Sequence, residues 1–92
     1  MPAVRHNEAE SRYELETPHG LATAAYQASD GVLAFTHTHV PDADQGHGVG
    51  GALIAGALAD VRARGARVLP LCPFVADYLE HHAEARDLVA DG

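Results

Sequence analysis

The chain has no lysine, one cysteine and no apolar run approaching the ~20 residues that a membrane helix needs. Each absence excludes something. A lone Cys72 rules out an intramolecular disulfide and a thiolate metal cluster. The missing lysine, with a formal net charge of −7, argues against a nucleic-acid partner, which normally meets a basic face. The acidic balance leans instead towards a cationic partner such as an amine. Met1-Pro2-Ala3-Val4-Arg5-His6 lacks the apolar stretch of a signal peptide, so a cytoplasmic protein is expected.

What is present fits one small domain. The 92 residues are read as a single domain, 1–92, whose thin core hides about 60–65% of the unfolded surface. The first third reads as strands. Val4 to Asn7 is a short one, Glu8-Ala9-Glu10 a polar turn, and Arg12 to Thr17 alternates with Tyr13 and Leu15 on one face. Pro18-His19-Gly20 is a turn signal, Leu21 to Ala28 is extended, and Ser29-Asp30-Gly31 makes a tight hairpin.

Val32 to Val40 is the clearest strand. Val32, Ala34, Thr36, Thr38 and Val40 alternate with Leu33, Phe35, His37 and His39. Apolar residues on both faces at its start predict a strand covered on both sides. After a polar loop, Pro41 to Gln45, the spacing predicts a helix over Gly48 to Arg64. Its apolar stripe is Gly50, Leu53, Ile54, Ala57, Leu58 and Val61, and Gly65 stops it. Arg67 to Leu71 is a strand, Pro73 opens a second helix reaching about His82, and Ala83 to Ala90 has a short helical pattern. The strand–helix–strand unit predicts one parallel pair with a right-handed connection. Short turns earlier predict antiparallel pairing. The expected fold is therefore α+β, a mixed sheet with flanking helices.

Gln45-Gly46-His47-Gly48-Val49-Gly50-Gly51 joins the best strand to the best helix. Glycines let backbone approach an anion, and free amides of the helix N-terminus point at it, so a pyrophosphate is the natural guest. A phosphate-binding P-loop would need a Gly-Lys-Ser/Thr sequence, and there is no lysine. Gly46, Gly48 and Gly51 satisfy G-x-G-x-x-G, but dinucleotide folds need a larger parallel sheet and an acidic residue ending the next strand. Gln45, Gly48 and Gly50 match the acetyltransferase signature Q/R-x-x-G-x-G/A. The bland alternative is that the glycines only shape a turn.

Three blocks carry a further resemblance: His37-Thr38-His39-Val40-Pro41, then Gln45 to Gly50, then Val68-Leu69-Pro70-Leu71-Cys72-Pro73-Phe74-Val75. Together they resemble the small YjdJ-type GNAT (GCN5-related) N-acetyltransferases, whose pattern is roughly H-T-x-V-P, G-x-G-x-G and P-x-C-P-F-V. The resemblance implies a minimal GNAT fold in which two parallel strands splay and the pantetheine arm lies between them. It implies acetyl-CoA as co-substrate and acetyl transfer to an amine, whether a small molecule, a polyamine, a peptide or a protein lysine. The alternative is a non-catalytic coenzyme A or acyl-CoA binding module, or a small interaction domain that retains the GNAT fold. Backbone of Thr38, His39 and Val40 would then bond the pantetheine, with Gln45, Gly46, His47, Gly48, Val49, Gly50 and Gly51 around the pyrophosphate. Phe74 and Tyr78 would lie against the cofactor. The inserted helices and the last two strands of larger relatives are missing, and Tyr78 falls near, but not on, their proton-donating tyrosine.

Cys72 has two readings, a small buried hydrophobe or a nucleophile assisted by a base. His37 is the expected base, because it shares a strand face with Phe35 and so should be shielded. A metal on His37 and His39 would need a third ligand, and none is evident. No long apolar face is left over, so a monomer without nucleic-acid or membrane partners is expected.

Overall fold

A computed structural model describes residues 3–90. Five strands hydrogen-bond in chain order, β1 (Arg5–Asn7), β2 (Arg12–Thr17), β3 (Gly20–Ser29), β4 (Val32–His39) and β5 (Arg67–Pro70). The first four are antiparallel neighbours, and β4 and β5 are parallel. The predicted α+β mixed sheet is what forms. Short turns dictate the antiparallel part. Between β3 and β4, Asp30 and Gly31 both take positive φ, 52° and 79°, as a two-residue hairpin matching strand twist requires. The parallel pair needs a crossover, and helix α1 (Val49–Ala63) supplies it.

Helix α1 buries Gly50, Leu53, Ile54, Ala57, Leu58 and Val61, the stripe that the 3.6-residue period predicts. It lies across β1, β2 and β3. Helix α2 (Pro73–His81) starts on Pro73, whose missing N–H costs nothing in a first helical turn. The predicted helical tail forms a 3-10 helix, Ala83–Leu88. It packs on α1 and α2, and Ala90 N–H then donates to Val68 O at 2.8 Å, alongside a Val68–Val89 bridge.

One hydrophobic core joins the sheet to the helices, with Tyr13, Phe35, Leu53, Ile54, Val61, Val68 and Val75 wholly buried. Such burial contributes roughly 1.5–3 kcal/mol per large side chain. At the far end of α1 from its glycines, Tyr13 donates to Asp60 Oδ2 at 2.6 Å and stacks on His6 with centroids 4.3 Å apart. His6 Nε2 in turn lies 2.5 Å from the Tyr26 hydroxyl. Burial, then the Asp60 carboxylate, pushes the Tyr13 phenol far up, so it serves only as a donor.

The helices cover one face of the sheet. The other carries Arg5, Arg12, Glu14, Thr23, Ala25, Ala34, His37, His39 and Leu69, exposed or half-exposed apart from Glu14. The expectation that β4 is covered on both sides is therefore corrected. Glu14 is held by Asn7 at 2.9 Å and Arg12 at 2.7 Å, so polar neighbours rather than a second layer shield it.

Candidate functional site

The site begins where β4 and β5 part. Their register runs from Val32↔Arg67 to Phe35↔Pro70 and stops there. The last link is Cys72 N–H donating to Phe35 O at 2.8 Å. Pro70 and Pro73 lack amide hydrogens, and a proline cannot extend a ladder. Beyond that point Thr36 to His39 continue without a strand on this side among the described residues.

A β-bulge falls at the same place. Tyr26 pairs with Phe35, yet Ala25 pairs with His37, so Thr36 is an extra residue on β4. An inserted residue exchanges the faces of everything after it. Leu33 and Phe35 point to the core. After the bulge Thr38 points that way, while His37 and His39 are exposed on the open face. This overturns the expectation that His37 is shielded beside Phe35. Simple alternation placed it there, and the bulge turns it away from Cys72, which is buried on the core side.

A pocket of about 410 Å³ opens at the splay. Its walls include Thr38, Val40, Gln45, Gly46, Gly48, Val49, Gly50, Gly51 and Phe74, so most of the expected cofactor residues converge there. Gly48 caps α1 with φ of 77°, a left-handed conformation that costs other residues about 1 kcal/mol or more. No side chain caps the helix and no acidic residue occupies its first turn. Its leading amides are therefore open to a ligand, with the positive end of the helix dipole behind them. Phe74 lies across Gly50, where a β-carbon would overlap its ring.

Three expected residues stand apart from this pocket. His47 is exposed in the glycine loop and His39 is exposed on the open face, so only its backbone borders the splay. Tyr78 lines a second cavity of about 250 Å³ with Leu58, Arg62, Glu84 and Leu88. There it stacks on His82 at 3.9 Å. Gln45 lines the pocket, but its side-chain amide donates to Val40 O at 3.1 Å, which makes it a brace for the loop.

Cys72 is 5% exposed, at the N-cap of α2. Its sulfur lies 3.5 Å from the Thr38 hydroxyl. Burial pushes the thiol up, but the Thr38 hydroxyl and the amides of Val75, Phe74 and Thr38 outweigh it, and the net direction is down. That environment favours the thiolate, the nucleophilic form.

Sequence reasoning missed Asp44. It lines the pocket, is 4% exposed, and binds the Thr17 hydroxyl at 2.5 Å and His19 Nδ1 at 2.9 Å. His19, then Thr17, holds its carboxyl below the usual range. In sequence Asp44 looks like any solvated loop carboxylate. Partners 25 and 27 positions away leave no local signal.

Comparison with known proteins agrees with this architecture. A GCN5-like protein from Staphylococcus aureus, solved in solution by NMR, is similar with a TM-score of 0.71 and 21% identity, over 97% of this chain and 88% of that one. At that identity the likeness concerns the fold. No curated protein matches. Residues 12–88 match the family described as GCN5-related N-acetyl-transferase, which spans the sheet, the glycine loop and the Cys72 segment. The chain belongs to the GCN5-related N-acetyltransferase family.

Proposed function

We propose that the chain transfers the acetyl group of acetyl-CoA to an amine. One observation carries this: the amide-lined pocket at the head of α1 is also walled by Thr38 and Val40, from the stretch of chain that has parted from β5. A glycine loop ending in an uncapped helix suits a pyrophosphate. The backbone from Thr38 to Val40, which has no strand on its β5 side among the described residues, suits the amide-bearing pantetheine arm. The residues thus fit the group that the family uses, with the thioester reaching towards Thr38 and Cys72.

At that end the amides and hydroxyl around Cys72 are donors, and such donors stabilise charge developing on sulfur or on a carbonyl oxygen. We read Cys72 as the nucleophile. Its thiolate attacks the thioester carbonyl, the carbon–sulfur bond to coenzyme A breaks, and the coenzyme A thiolate departs. An incoming amine then attacks the S-acetyl cysteine, losing a proton to solvent or substrate and returning the Cys72 thiolate. His37 has no part in this, since it lies on the opposite sheet face.

Intact-mass measurement after incubation with acetyl-CoA alone tests the reading. The expected result is one added acetyl group, absent in Cys72→Ala, with coenzyme A still raising the melting temperature of both proteins. A saturating ligand at about 100 times its Kd stabilises by ~2.7 kcal/mol. Transfer to a panel of amines at the parent rate by Cys72→Ala would show direct attack on the thioester. A thermal shift with no transfer to any amine would show the non-catalytic binding module.

A further inference from the structure

The anion pocket has an electrostatic oddity. The chain has no lysine, and none of its six arginines lines the pocket. The charged residue in the wall is Asp44, whose carboxylate is turned to Thr17 and His19 beside the pocket. A negative charge beside bound phosphates opposes binding.

Asp44 is not alone. It ties the β2–β3 turn to the loop after β4 through Thr17 and His19. As the carboxylate is held ionised, it can only accept. His19 Nδ1 must therefore donate, which leaves Nε2 as the ring's second site. That atom has no hydrogen bond among the described residues, and the His19 side chain is 57% exposed. Protonation there makes the pair neutral overall. Deprotonation leaves one uncompensated negative charge against the pocket.

We propose that the His19–Asp44 pair is a protonation-dependent element of the coenzyme site, admitting the pyrophosphate when His19 carries its proton and opposing it when His19 does not. The proposal rests on the coenzyme A reading above. Other titratable groups lie nearby: His47 in the glycine loop, His39 at the end of β4, Glu16 beside Thr17, and Asp42, which accepts from Gln45. All are exposed. Among the described residues His19 is the one ion-pair partner of Asp44.

Because the protonated form binds better, binding takes up a proton and Kd rises with pH. The probe is dephospho-CoA, which keeps the pyrophosphate but has no phosphate monoester that itself titrates near neutrality. Its Kd is measured by calorimetry from about pH 5.5 to about pH 8. Binding should weaken by about three- to tenfold across it, the scale of one charge near a screened surface.

His19→Gln and Asp44→Asn break the same contact but differ in charge. His19→Gln should bind weakly at every pH, at the parent's alkaline level. Asp44→Asn removes the negative charge, so at alkaline pH, where the parent is weak, it should still bind at the parent's acid level. A merely structural brace would move both the same way. His47→Gln should retain the slope. A slope that survives in His19→Gln, or two variants that weaken together, overturns the proposal. So does parent binding that ignores pH, which would leave the coenzyme reading standing. No binding of coenzyme A or dephospho-CoA to the parent at any pH would sink that reading too.

Discussion

At the scale of single residues the pocket depends on what is missing from Gly50. A β-carbon there would overlap the ring of Phe74. That ring is 43% exposed and free to swing, so the overlap is relieved by moving Phe74 rather than by opening the core. Gly50→Ala should therefore cost less than about 1 kcal/mol in urea denaturation. It should still weaken coenzyme A by about tenfold or more, a loss of ~1.4 kcal/mol in affinity. An unchanged thermal shift with coenzyme A would show that Phe74 has no place in binding. The glycine loop was legible in sequence as the bend that opens α1, because backbone freedom belongs to the residue itself. Asp44 and Tyr78 were not. Their roles are set by what the fold brings to them, His19 for one and the second cavity for the other.

At the scale of elements, α1 illustrates how far periodicity reaches. Its stripe was readable because a straight helix repeats without interruption, and each of the six positions is buried. Gly56 lies off that stripe and looks like a surface position where alanine should gain ~1 kcal/mol of helix propensity. The structure reverses the sign. A β-carbon at Gly56 would meet Val4 Cβ at 2.6 Å and overlap its methyl groups. Val4 leads directly into β1 and cannot move without it. Overpacking of this kind costs about 1–3 kcal/mol, so Gly56→Ala should lower the urea midpoint, and a raised midpoint would show that the β1 approach is loose. Strand β4 shows where periodicity fails. Two-residue alternation holds only while no residue is inserted. Thr36 is an ordinary polar residue, with nothing in its identity to announce the bulge.

At the scale of the whole molecule the acidic composition invites a wrong expectation. With a net charge of −7, protonating carboxylates should relieve self-repulsion and stabilise the fold. Five of them act the other way, Glu84 and Asp87 at the surface and three that are buried or half-buried. Asn7, then Arg12, holds Glu14 below its usual range, and His19, then Thr17, does so for Asp44. Burial pushes Asp60 up, but Tyr13 and Arg64 outweigh it, and its net direction is also down. A depressed carboxylate contributes stability that is present above its unfolded pKa and is lost as pH falls through the folded one. The urea midpoint should therefore hold down to about pH 5 and fall below about pH 4, where ordinary carboxylates titrate. A midpoint that rises on acidification would show that global repulsion dominates. The bulge has a consequence of another kind, in how the gene tolerates change. Thr36 is exposed, so its codon can drift among many amino acids at little cost. Deleting that codon removes only the extra residue: Tyr26↔Phe35 and Ala25↔His37 become successive pairs of a regular ladder, so Thr38 keeps its core-facing place and the histidines stay on the open face. Lineages of this protein are thus free both to rewrite the letter at that position and to drop it, since the faces on either side are kept.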